Sequence, residues 1–125
     1  MLFRSRSELG TGGAELAQIL PELRTIVPEL PEPGSIDADS ARFRLFEATA
    51  EFFRNASRIR PLLLILDDLH AADAPSLLLL QYLARELGST RMLLLGALRD
   101  VDPTPAHALA SMLVEVAREP VTTRI

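Results

Sequence analysis

The chain has no cysteine and no lysine: all 13 of its basic residues are arginine, within a total of 125 residues. The missing cysteine excludes a disulfide framework, a thiolate zinc site and a cysteine nucleophile. The missing lysine excludes Schiff-base catalysis and the phosphate-binding lysine of a P-loop. Tryptophan is also absent and there is a single tyrosine. Long apolar runs are scarce. The longest, Leu62 to Leu66 and Leu77 to Leu80, fall far short of the ~20 residues a membrane helix needs. The N-terminal MLFRSRSELG has arginines but no apolar stretch behind them, so it does not read as a signal peptide. A cytoplasmic protein with no membrane partner is the expectation. Seventeen acidic residues leave a net charge of -4, which argues against nucleic-acid binding by this segment.

What is present fits a soluble globular segment, with 48% hydrophobic and 24% charged residues. The length suits one domain or a piece of one. Leu16, Ile19, Leu20 and Leu23 recur at helical spacing. With Pro21 interrupting them, they predict two short helices or one kinked helix over 14–27. Gly10-Thr11-Gly12-Gly13 lacks phosphate-loop spacing and reads as a turn. Residues 28–39 hold three prolines and a glycine and read as a flexible loop. Asp39 or Ser40 can cap a helix over 41–58. Phe43, Phe46, Ala50 and Phe53 line one face of it, widened by Leu45, Thr49 and Phe52.

From there helices and strands alternate. Leu62 to Leu66 is a continuous aliphatic run with no polar face, which predicts a strand covered on both sides in a parallel sheet. Asp73 caps a helix over 74–87, with Pro75 in its first turn and Gly88 just past its end. A strand over 92–98, a helix over 105–118 opened by Thr104 and Pro105, and a strand over 121–125 complete the series. That order implies an α/β fold with parallel strands.

The chemistry concentrates at Asp67-Asp68, where the first aliphatic strand ends. In open α/β sheets, ligands gather at the C-terminal ends of strands. Two adjacent carboxylates there either hold a divalent cation, which takes one or two carboxylates plus waters and phosphate oxygens, or simply open a loop. His70 is either a third metal ligand or base, or a loop histidine.

The stretch from Arg60 to Leu77, RPLLLILDDLHAADAPSL, resembles the Walker B region of AAA-like ATPase modules of the STAND class. Such modules occur in large ATP-binding LuxR-type transcriptional regulators and related signalling ATPases. Their pattern runs LDDLHWAD.xSL.LL..L, and this chain departs from it with Ala71 where tryptophan is usual. Leu94 to Val101 is similar to a strand ending G.YRD.E, and ELAQILPEL and ARFRLFEA extend the likeness over about residues 10–125. The resemblance implies a partial P-loop NTPase-like three-layer sandwich spanning 1–125, with the P-loop portion and the lid absent. It implies ATP and Mg²⁺ as cofactors, with Asp67 as the metal-coordinating acid, Asp68 as the acid that activates water, and Arg99 at a sensor position. For Arg99 an ion pair with Asp100, Asp102 or Glu119 stands beside that role.

By the same resemblance the chain begins after two strands of the module and stops as a fifth begins. Residues 121–125 are then either an unpaired tail or a strand sliding against 92–98. Without a P-loop lysine the segment is expected not to bind or hydrolyse ATP alone. Its partner is then the rest of its parent module or a second copy. The other reading is a non-catalytic interaction module.

Overall fold

A computed structural model describes residues 6–34, 37–99 and 107–125. The chain divides into two compact units, Met1–Arg60 and Pro61–Ile125.

The first unit is helical: α1 (Arg6–Leu9), α2 (Gly13–Ile19), α3 (Leu23–Ile26) and α4 (Ala38–Ile59). Of the two alternatives for 14–27, two short helices form, because Pro21 cannot donate into a continuing ladder. Leu9, Leu16, Ala17, Leu23 and Ala48 form the core, with Val27, Leu30 and Phe52 packed against it. Gly12 and Gly13 are both buried because small residues let backbones approach; a Cβ on Gly12 would collide with Ala48 of α4. Gly10 turns the chain at φ +60, a conformation that glycine adopts without Cβ strain. The Glu51 carboxylate then accepts from the N–H and the hydroxyl of Thr11, both at 3.2 Å.

Three expectations for this unit change. The cap of α4 is Asp37, whose carboxylate accepts from Ser40 N–H at 2.9 Å and Ser40 Oγ at 2.6 Å. Asp39 and Ser40 lie inside the first turn, where Asp39 pairs with Arg42 at 2.9 Å. Small residues of α4 (Ala48, Thr49, Ala50, Ser57) are buried, while Phe43 is 56% exposed. The proline loop is fastened rather than loose at its start. The Arg24 guanidinium donates to the carbonyls of Leu30 at 3.2 Å and Pro31 at 3.4 Å and pairs with Glu32 at 3.1 Å.

The second unit is α/β. Strands β1 (Leu62–Leu66) and β2 (Met92–Gly96) pair in parallel, Leu62 opposite Met92 through Leu66 opposite Gly96. Between them runs α5 (Ala74–Glu86), and α6 (His107–Ala117) follows. Asp73 caps α5 by accepting from Ser76 N–H at 2.9 Å. Pro75 lies in the first turn of α5, where its missing N–H costs nothing. Leu69, Leu77, Leu80, Leu109 and Met112 form the core, against which Leu66 and Leu94 pack from the sheet. Arg85 of α5 lies 3.7 Å from Glu115 and 3.6 Å from Glu119 at the end of α6.

Helices cover one face of this sheet. On the other, Leu63, Ile65, Leu93 and Leu95 are 59%, 63%, 57% and 42% exposed. Within this unit the described residues make two layers, with helices on one face of the sheet. The expected strand over 121–125 does not form: Thr122 N–H closes a turn on the Glu119 carbonyl at 3.0 Å, and the residues beyond are irregular. Val121-Thr122-Thr123 has strand-like side chains, but five residues without a neighbouring strand gain no ladder to hold them extended. β2 ends at Gly96 rather than 98, although Ala97 N–H still donates to the Leu66 carbonyl at 2.8 Å. Thr104 and Pro105 lie outside the described residues.

Candidate functional site

The site is built where β1 ends. The five aliphatic residues of β1 carry the chain to the rim of the sheet, and both following carboxylates emerge exposed. Asp67 Oδ1 accepts from the N–H of Asp68 at 2.9 Å, which orients one oxygen inward along the turn. Asp68 adopts the left-handed conformation, φ 55 and ψ 45. Among the described residues it is the one non-glycine with positive φ, and aspartate is among the few residue types that tolerate it. The reversal feeds a 3-10 turn, Leu69–Ala71, closed by Ala71 N–H on the Asp68 carbonyl at 2.8 Å.

Buried Leu69 anchors this turn. Its N–H donates to the Ala97 carbonyl at 2.9 Å, and its side chain lies against Gly96, where any Cβ would intrude. The turn after β1 is thus tied to the end of β2, and this brings Arg99 to the acidic pair. Arg99 Nε lies 3.5 Å from Asp68 Oδ1, and His70 Nε2 lies 3.8 Å from the same oxygen. The Arg99 and Asp68 side chains are 68% and 49% exposed, so water screens the contact and it contributes about 0–1 kcal/mol. Next to the pair is a cavity of about 440 Å³, walled by Leu66, Leu69, Leu77 and Leu80 with Asp67, Asp68 and Ser76 at its polar side.

Asp67, Asp68 and Arg99 therefore gather at one rim of the sheet, and His70 joins Asp68. Asp67, Asp68 and His70 do not converge on a common point: no group of three metal-ligating side chains occurs among the described residues. The partner of Arg99 is Asp68, which the sequence reading had not proposed. Asp100 and Asp102 lie outside the described residues, and Glu119 faces Arg85. The sequence carried no signal for this pairing, which follows from the register that brings the residues past Leu66 and Gly96 to one rim.

The sequence model of the AAA ATPase domain matches residues 3–95. This chain belongs to the AAA ATPase domain family. Neither the curated proteins nor the solved structures contain a match to it. In this AAA ATPase segment, Gly10 to Gly13 serve packing: Gly12 and Gly13 approach Ala48 and Leu30, and the Thr11 N–H is taken by Glu51. Asp73 stands apart as a helix cap, and hydrogen bonds from the Ser76 side chain and then its backbone N–H hold its carboxyl below the usual carboxylate range. Among the described residues, no helix is long and apolar enough to cross a membrane.

Proposed function

We propose that β1 and its acidic end are the Walker B element of a nucleotide-driven switch, of the kind found in LuxR-type transcriptional regulators of the STAND class. The observation that carries this reading is the adjacent carboxylate pair at the C-terminal rim of a parallel strand, each acid committing one oxygen to the chain. Asp67 Oδ1 is occupied by the Asp68 N–H, and Asp68 Oδ1 by Arg99 and His70. Among the described residues these contacts of both acids fall on Oδ1, which supports a reading in which Oδ2 is offered to a ligand.

That donor set suits a hydrated Mg²⁺, which takes one or two carboxylates and keeps several waters. Asp67 is the residue assigned to hold it, and the ion supplies charge neutralisation at phosphate oxygens. Asp68 accepts a proton from, and orients, a water molecule. Arg99, 3.5 Å from Asp68, is the residue that would read a terminal phosphate. The residues do not fit the rest of a nucleotide: with no lysine in the chain, no P-loop motif can cradle the phosphates. The segment is therefore assigned the metal-and-water half of an ATPase site, and the cradle comes from a separate segment.

Isothermal titration with Mg-ATP tests this division. The 125-residue chain should show no micromolar binding, and micromolar binding would overturn the claim that the cradle is missing. Titration with Mn²⁺ alone tests the metal role. Weak binding that Asp67→Asn removes supports it, and equal binding in parent and variant refutes it.

A further inference from the structure

The hydrogen bonds past the end of β1 depart from a regular ladder by one residue. Ala97 N–H donates to the Leu66 carbonyl at 2.8 Å. A regular parallel ladder would then bring the N–H two residues on, that of Asp68, to the Ala97 carbonyl. The Leu69 N–H takes that place instead, at 2.9 Å. Asp67 and Asp68 therefore stand together opposite the single residue Ala97, which makes them a bulge in a parallel pair.

Side-chain alternation gives the physical reason. Ile65 is exposed and Leu66 packs into the helix-covered core. Unbroken alternation would turn Asp68 toward that core, where a carboxylate without partners is costly. The extra residue puts Leu69 there, 8% exposed, and leaves Asp68 at the rim. It also withdraws the Asp68 N–H from the ladder, and a displaced main-chain donor needs another acceptor. Asp67 Oδ1 supplies it at 2.9 Å. Asp68 makes this bond with its backbone at φ 55 and ψ 45, a conformation open to glycine, asparagine and aspartate and strongly disfavoured for β-branched residues.

We propose that Asp68 is a positioning residue for Asp67: its left-handed main chain, independently of its own carboxylate, holds the Asp67 carboxyl with Oδ2 turned to a divalent cation. This rests on the reading of Asp67 as the metal-holding acid. It adds that the backbone conformation at residue 68 sets the affinity for metal, a role separate from orienting water.

The test is Mn²⁺ titration of the full chain, comparing Asp68→Gly with Asp68→Val. Both lack the carboxylate, so whatever the second acid contributes is lost equally from each. Glycine keeps the left-handed turn and valine resists it. Asp68→Val should bind Mn²⁺ about fivefold or more weakly than Asp68→Gly, and Asp68→Asn should stay within about twofold of Asp68→Gly. Circular dichroism checks folding. If Asp68→Val does not fold, Asp68→Ala replaces it, with a loss of about twofold or more expected. Hydrogen exchange at the residue-68 amide, corrected for the intrinsic effect of its neighbours, reads the bond without metal. It should be about fivefold or more slower in Asp68→Gly than in Asp67→Ala/Asp68→Gly. Equal Mn²⁺ affinity in Asp68→Gly and Asp68→Val, with Asp67→Asn still removing binding, overturns the positioning role alone. Mn²⁺ binding that is absent from the parent, or that Asp67→Asn leaves intact, overturns the metal reading and the proposal with it. An amide at residue 68 that exchanges as fast with Asp67 as without it overturns the proposal whatever the metal does.

Discussion

Replacing Gly96 with alanine tests whether the turn that presents Asp68 is set by close packing against β2. A Cβ at this position would sit 2.6 Å from Leu69 Cδ1 and 3.7 Å from Leu69 Cγ. Carbon atoms pack best at about 3.5–4.0 Å, so the Leu69 methyl must retreat by about 1 Å. Leu69 is 8% exposed within the core, and overpacking of this kind costs about 1–3 kcal/mol. Alanine also restricts the unfolded chain, which returns about 0.4–1 kcal/mol. The net loss for Gly96→Ala should be about 0.5–2 kcal/mol. Leu69→Ala alone opens a cavity and should cost about 2–5 kcal/mol.

Combined, the two changes relieve each other, so the double variant should be more stable than the sum of the singles by about 1–3 kcal/mol. The measurement is the urea dependence of amide exchange on β1 and β2, which follows this unit by itself. At roughly 1 kcal/mol per molar urea, a coupling of this size moves the midpoint by about 1–3 M. Additivity within about 0.5 kcal/mol would refute the claim that Gly96 and Leu69 share one space.

In the first unit, Gly12→Ala should destabilise by at least about 1 kcal/mol, because the new methyl meets the backbone as well as the side chain of Ala48. Gly34→Ala, with nothing within 4 Å, should be neutral or slightly stabilising, and chemical denaturation of both variants checks the contrast. The Asp37 and Asp73 carboxyls are held below the usual range by hydrogen bonds from Ser40 and Ser76. A lowered folded-state value means that their stabilisation is complete above the unfolded value, about pH 4, and is lost as pH falls through the folded one. Urea midpoints between pH 6 and pH 3 should therefore fall more steeply in the parent than in Asp37→Asn/Asp73→Asn, and parallel curves would show that the caps contribute nothing to the pH dependence.

Local rules written in the residues determined most elements. Pro21 divided the first helical run, Asp73 and Pro75 started α5, β1 formed over its expected residues, and β2 formed at its expected start but ended two residues early. The acidic pair and its position at a strand end were equally legible, because the change from aliphatic to charged residues marks the rim of a sheet. The composition alone excluded a phosphate-binding lysine.

Other features depended on what each segment meets. Asp37, rather than the expected Asp39 or Ser40, caps α4 because its carboxylate reaches the Ser40 N–H, a contact fixed by where the helix starts. Val121 to Ile125 has the side chains of a strand, but a strand exists only with a neighbour, and among the described residues none lies beside it. The partner of Arg99 could be found only once β1 and β2 were paired, since the register of the two strands sets which rim residues face each other. Spacing and capping are properties of the chain. Pairing, burial and charge contact are properties of segments brought together, and at Asp68 those contacts position the side chain.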